Sequence, residues 1–290
     1  LRLIANNIKV FLYEPKISQK EFLFKEIKRT EKNIKKFYNI KKFNLNYLSV
    51  KSSIKDAVKN ADLIQENCPE NIKIKKIIVK EISRWSNKKA IIASSSSGLL
   101  PSKIQKACDF PERFVIAHPF NPVYLLPLVE IVRGNLTSTY FTKKADNFYK
   151  SIGMKTIILK KEVEGYLSDR LQEAVWRESL HILKDDLAST EDLDDSITYG
   201  PGLRWSYMGV FLTFHFDGGK QGMKHMLEQF GPALKLPWTK LKAPKLTKKL
   251  SNKIIKETKK QANNLTINQL STKRDNFLID LLKLKNKHNI

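Results

Sequence analysis

Two cysteines in 290 residues, Cys68 and Cys108, are too few for a disulfide framework or a cysteine-based metal cluster. Their scarcity points to a reducing, cytoplasmic compartment. No apolar run approaches the roughly 20 residues needed to span a bilayer. Nor does a basic, apolar and small-residue succession mark a signal peptide, so no membrane partner is expected. Acids are in short supply as well: 29 Asp and Glu face 53 Lys and Arg, a formal net charge of +24. Such an excess suits a nucleic-acid partner, but its distribution argues against one. The lysines spread along presumed helix faces (KEIKRTEKNIKK, LTKKLSNKIIKETKKQ) and travel with Ile and Asn, as a compositional bias would produce. Even residues 235–290, with 15 basic residues against 3 acidic ones, lack the alternating aromatics of a single-strand binder. Solvated basic surface is the better reading, and no nucleic-acid partner is expected.

What the chain does have is core material. A hydrophobic content of 41%, with 15 Phe, 9 Tyr and 4 Trp, argues for packed interiors in one large domain or two ordinary ones. Short apolar strands alternate with helical stretches through the first 160 residues. Strands are expected at Ile8–Tyr13, Leu45–Leu48, Asp62–Gln65, Ala90–Ala93, Arg113–Ala117, Leu128–Val132 and Thr156–Leu159. Between them helices are expected at Ser18–Phe37, with Ser18 as its cap, Asn71–Ser83, Pro101–Cys108 and Thr142–Ile152. This alternation is the signature of an α/β domain with a doubly wound parallel sheet. After about Lys161 the period is helical throughout: Leu167–Lys184, Thr190–Ile197, Gly222–Phe230 and Asp275–Lys285. The expected organisation is a nucleotide-type α/β domain over 1–162 and an all-α domain over 163–290.

The first residues, LRLIANNIKVFLYEPK, read as the back half of a nucleotide-binding βαβ unit. Leu1–Ala5 finishes a helix, Asn6-Asn7 stops it, and a strand ends on the acid Glu14. On this reading the first strand and glycine-rich loop are missing. Ligands of open α/β sheets sit at the carboxyl ends of strands. There the AIIA strand ends in Ser94-Ser95-Ser96-Ser97-Gly98, and the RFVIA strand in His118-Pro119-Phe120-Asn121. Glu130 follows twelve residues after the histidine, inside LVEIV, where an acid needs a partner. A hydroxyl, an imidazole and a carboxylate can converge there, and a carboxylate beside a histidine fixes its tautomer for general-base work.

Three stretches, IIASSSSGLL, RFVIAHPFNPVYLLPLVEIVRG and EGYLSDRLQEAVWRESLHIL, resemble the L-3-hydroxyacyl-CoA dehydrogenase superfamily. The intervals of 21 residues from Ser97 to His118 and 12 from His118 to Glu130 match its pattern. Further stretches, DRLQEAVWRE, YGPGLRWSYMGVFLTFH and LEQFGPALKLPWTKL, are similar to its carnitine-oxidising branch. The resemblance implies a Rossmann-type domain, NAD as cofactor, a homodimer through the helical half, and hydride transfer from a small 3-hydroxy acid. L-carnitine is the substrate so implied, with a 3-hydroxyacyl-CoA as the alternative. It gives His118 the role of base, Glu130 that of its partner and Ser97 a hydrogen bond to the reacting oxygen. It places Glu14 at the adenosine ribose, which favours NAD over NADP, and Glu70, Lys75 and Asn121 at further cofactor contacts. Asp169 stands where the acyl-CoA enzymes carry Asn; a carboxylate there is tolerable beside a cationic substrate, the alternative being a helix N-terminal charge with no ligand role. Such a cation is recognised by aromatic faces, for which Phe120 and Phe230 are the first candidates, with Tyr199, Trp205 and Trp238 behind them.

Overall fold

The structure is a computed structural model that describes residues 1–40, 43–207, 209–218, 220, 222–232, 236–239, 247–250, 252 and 265–288. It divides into two compact units, one formed by Leu1–Arg170 with Asp275–Asp280, the other by Leu171–Arg274 with Leu281–Ile290. The first unit opens with a short helix α1 (Arg2–Ala5) and strand β1 (Val10–Leu12). After them come α2 (Ile17–Tyr38), β2 (Leu48–Val50), α3 (Ile54–Val58), β3 (Leu63–Glu66), α4 (Ile72–Trp85), β4 (Ile91–Ser94) and α5 (Pro101–Gln105). β5 (Phe114–Pro119), β6 (Leu128–Arg133), α6 (Thr139–Ser151) and β7 (Lys155–Ile158) complete it.

β1 and β2 pair in parallel, and β3 to β7 form a five-stranded sheet in chain order. The ladders β3–β4, β4–β5 and β6–β7 are parallel. The β5–β6 ladder is antiparallel, so the last two strands run against the rest of the sheet. The link between β5 and β6 spans only residues 120–127, too short for a crossover helix, so the chain turns back. That return lengthens β5 past Ala117: His118 and Pro119 lie inside the strand, opposite Glu130 and Val129.

Alternation along each strand divides the core between the two faces of this sheet. Ile64, Ile92, Phe114, Ile116 and Val132 pack on one face with Val79 and Ile82 of α4. On the other, Ile91, Ala93, Val115, Ala117, Val129 and Ile131 meet Phe141, Ala145 and Tyr149 of α6. All four residues of β4 are buried, as expected of a strand covered on both faces. Ile4, Ala5, Ile27, Ile34 and Phe43 make a third cluster around α1 and α2. Arg2 is buried beside it, donating to the carbonyls of Val123, Leu125 and Leu126 and of Ile152 and Gly153.

Local chemistry sets the helix starts. Asn71 accepts at Oδ1 from the Lys73 and Ile74 amides and caps α4. Ser18 does not cap α2; that helix begins at Ile17, and Glu14 instead takes the Lys16 amide. Residues Leu45–Tyr47 form a 3₁₀ turn, which delays β2 to Leu48.

The second unit is helical: α7 (Ser168–Lys184, of which Leu171 onward belongs here), α8 (Thr190–Thr198), α9 (Pro201–Tyr207), α10 (Val210–Asp217) and α11 (Met223–Phe230). Ser189 and Asp192 form a reciprocal capping box at the start of α8. A further helix spans Ile267–Lys287 and is capped the same way by Thr266 and Gln269. Most of the basic segment 241–261 lies outside the described residues.

Candidate active site

The antiparallel register makes the central contact. His118 and Glu130 are cross-strand partners on one face of the sheet, and His118 Nδ1 lies 3.0 Å from Glu130 Oε2. An interval of twelve residues in the chain becomes direct adjacency. Glu130 is fully buried, and its second oxygen, Oε1, accepts the Leu167 and Ser168 amides at 3.1 and 3.0 Å. Those amides open α7, so a buried carboxylate is joined to a helix N-terminus, where negative charge is favoured. Burial pushes the Glu130 carboxyl up, but the His118 bond and the Ser168 and Leu167 amides outweigh it and hold it below 4.5. It stays ionised, and a carboxylate on Nδ1 leaves Nε2 as the ring nitrogen available for proton exchange.

Glu70 organises the serine loop in a similar way. Its Oε1 accepts from the Ser96 hydroxyl at 2.5 Å and from the Ser97 and Gly98 amides at 3.1 and 3.3 Å. Ser96 is buried, whereas Ser97 is exposed and reaches the cavity. Lys75 is buried too: its ammonium donates to both oxygens of Glu66 at 3.1 Å and to the Cys68 carbonyl, and lies 3.5 Å from Glu70. Ser94 donates to Glu66 from the neighbouring register position. Glu66 and Ser94 thus hold Lys75, and Lys75 stands between two carboxylates. Cys68 pays for this company, its thiol being pushed up to about 11 by burial and by Glu66.

These groups border a cavity of about 330 Å³ lined by residues that include Cys68, Glu70, Lys75, Ser97, His118 and Asn121. It lies where β3, β4 and β5 end, the place where open α/β sheets take nucleotides. Five of the expected residues therefore share one cavity. Glu14 stands just past β1, close enough for its charge to bear on Cys68. Phe120 meets the His118 ring edge-on at 5.7 Å, and Asp169 Oδ2 lies 3.8 Å from His118 Nε2. Phe230 ends α11 in the second unit, and its side chain lies outside the described residues. Tyr199, Trp205 and Trp238 are exposed on the second unit.

Sequence reading missed Glu66, Ser96 and Tyr166. Tyr166 is fully buried, 5.6 Å from the His118 ring, and donates to the Leu99 carbonyl. Gly165 and Tyr166 both have positive φ, +71° and +46°. The turn needs the freedom of glycine at the first position and packs a ring at the second. The signal was a Gly-aromatic pair just ahead of a periodic helix.

The family model described as the 3-hydroxyacyl-CoA dehydrogenase NAD binding domain matches residues 2–163, and its C-terminal domain matches residues 165–261. The chain belongs to the 3-hydroxyacyl-CoA dehydrogenase family. NAD is accordingly its cofactor, and the cavity suits it: side-chain amides, hydroxyls and carboxylates at the strand ends match the hydroxyls and carboxamide of a nicotinamide nucleoside. Among curated relatives of this family, L-carnitine dehydrogenase of Oceanobacillus iheyensis is 47% identical over 98% of this chain and 92% of its own length. That of Bacillus cereus is 52% identical over 83% of this chain and 74% of its own. Among solved structures, 5-formyl-3-hydroxy-2-methylpyridine 4-carboxylic acid 5-dehydrogenase, an NAD-dependent dismutase, superposes with a TM-score of 0.80 at 22% identity. The superposition covers 98% of this chain and 92% of that one, and at this identity it speaks to the fold alone.

The Glu70 carboxyl makes a prediction about acid stability. Burial pushes it up, but the Ser96 hydroxyl, the Lys75 ammonium and the Gly98 and Ser97 amides hold it below its ordinary 4.5. A carboxyl lowered by folding contributes stability above its unfolded value and loses it as pH falls through the folded value. Glu70→Gln is therefore expected to lower the urea midpoint at pH 7 and to shrink its further fall below about pH 4.3. Equal acid slopes in the two proteins would contradict this.

Proposed function

We propose that this chain catalyses the NAD-dependent oxidation of the C3 hydroxyl of L-carnitine to 3-dehydrocarnitine. The observation that carries the reading is the buried His118–Glu130 pair at the edge of the cavity. Support for the substrate comes from relatives called L-carnitine dehydrogenase that are 47% and 52% identical over most of the chain. Bound NAD supplies the two-electron acceptor for the hydrogen that leaves C3. His118 takes the hydroxyl proton at Nε2, while Glu130 keeps Nδ1 protonated and balances the imidazolium that forms. Ser97 donates to the reacting oxygen and orients it. Glu14, Glu70, Lys75 and Asn121 hold the cofactor. Glu70 does so chiefly by shaping the serine loop, and Lys75 by keeping Glu70 and Glu66 in place.

The test is a substrate panel with NAD: L-carnitine, D-carnitine and 3-hydroxybutyryl-CoA. Turnover confined to L-carnitine is expected, and a preference for the acyl-CoA would move the reading to the substrate in the family's name.

His118→Ala is expected to lower kcat by a factor of at least about 100, the usual scale for losing a general base, with a much smaller change in KM. Glu130→Gln acts through the same imidazole, so the double variant should lose far less than the product of the single losses. Independent, multiplicative losses would separate the two residues.

At the tip of β1, Glu14 opposes the extra phosphate of NADP. Glu14→Ala should narrow the preference for NAD, read as the ratio of kcat/KM for the two cofactors. A native enzyme that prefers NADP would place Glu14 elsewhere.

The helical unit is also the proposed site of homodimerisation. α10 leaves Phe211 84% and Phe216 74% exposed, and Leu171, Leu203 and Leu227 are exposed on other helices of the same unit. That is more apolar surface than a lone helical unit leaves to water. Sedimentation should give twice the chain mass of 33.6 kDa, and a monomer at micromolar concentration would refute it.

A further inference from the structure

Asp169 occupies an unusual position beside the acid–base nitrogen. It lies in the first turn of α7, three residues past Tyr166, and its Oδ2 is 3.8 Å from His118 Nε2. That separation is too long for a hydrogen bond. The carboxylate stands beside the nitrogen without occupying it. The opposite nitrogen, Nδ1, is held by Glu130 at 3.0 Å, so the imidazole lies between two acids and only one of them bonds to it.

The substrate geometry says what the second acid meets. A hydroxyl that hands its proton to Nε2 sits roughly 2.6–3.2 Å from it. In a 3-hydroxy acid carrying a cation on carbon 4, the cationic nitrogen is three bonds from that hydroxyl oxygen, roughly 3–4 Å away. The positive charge is therefore brought within a few ångströms of Nε2, the neighbourhood that Asp169 occupies. A quaternary ammonium offers no hydrogen to bond, so opposite charge and aromatic faces are what can recognise it. Asp169 provides the first, and half-buried Phe120, edge-on to His118, provides a ring. The side chain of Asp169 is 28% exposed, which is enough to meet a ligand and too little for water to screen it fully.

We propose that Asp169 is the specificity-determining carboxylate of this site: it holds the cationic carbon-4 substituent beside His118 and selects cationic over neutral 3-hydroxy acids. The assignment rests on the reading of function above. An acid in the first turn also favours its helix, but that role is blind to the charge of the substrate, which makes the two separable.

The experiment compares L-carnitine with its uncharged carbon isostere, 3-hydroxy-5,5-dimethylhexanoate, by kcat/KM with saturating NAD. The native enzyme, Asp169→Asn, Asp169→Ser and Asp169→Glu are run side by side, with far-UV circular dichroism to establish folding. The native enzyme should prefer L-carnitine by at least about 100-fold. Both neutral variants should lose at least about tenfold of that ratio, mainly through KM for L-carnitine, while Asp169→Glu keeps more of it. An unchanged ratio in a folded neutral variant overturns the assignment of Asp169 alone. Should neither neutral variant fold, the native ratio decides, and a preference below about tenfold overturns the proposal. Failure of the native enzyme to oxidise L-carnitine at all sinks the reading of function and this inference with it.

Discussion

One buried carboxylate holds the site together. Glu130 accepts the His118 ring on one oxygen and the first two amides of the α7 turn on the other. An ionised acid with no access to water is expensive unless every contact is made, so the strand, the histidine and the helix start are fixed relative to one another. The β5–β6 register does the rest. A slip of one residue would carry Glu130 to the other face of the sheet, among Val129 and Ile131, and leave the histidine without its partner.

A second polar network repeats this logic on the other side of the cavity. Glu66, Ser94 and Lys75 form a closed buried set, and Glu70 extends it to the serine loop. Here too the charges are balanced locally, Lys75 against Glu66 and Glu70. Among the described residues, buried Arg2, Lys75 and Arg113 are matched in number by buried Glu66, Glu130 and Asp275, so the buried charges do not carry the net excess of +24. Among the described residues no helix is long and apolar enough to cross a membrane.

Much of this was legible in the chain. Apart from β2, whose start the 3₁₀ turn delays by three residues, the strands of the α/β unit appear within a residue or two of the apolar runs, as at Ile91–Ser94 and Lys155–Ile158. The His118–Glu130 pair was legible because an acid inside LVEIV demands a partner. The direction of β6 was not: periodicity describes one strand at a time, and direction is settled by the connection. Glu66 escaped notice for a related reason. It looks like an ordinary strand-end acid until the fold brings Lys75, nine residues away on α4, beside it. Among four consecutive serines, only Ser97 drew attention. Which of them turns inward depends on where Glu70 sits, and the buried one bonded to it is Ser96.

The grip of Glu70 on three successive residues also has a thermodynamic consequence. A loop of small polar residues would ordinarily sample many shapes, and a ligand that needed one of them would lose affinity to the ordering of the rest. Here a single oxygen gathers the Ser96 hydroxyl and the Ser97 and Gly98 amides within the protein's own structure. The entropy is surrendered during folding, and what arrives at the cavity meets a surface already cast.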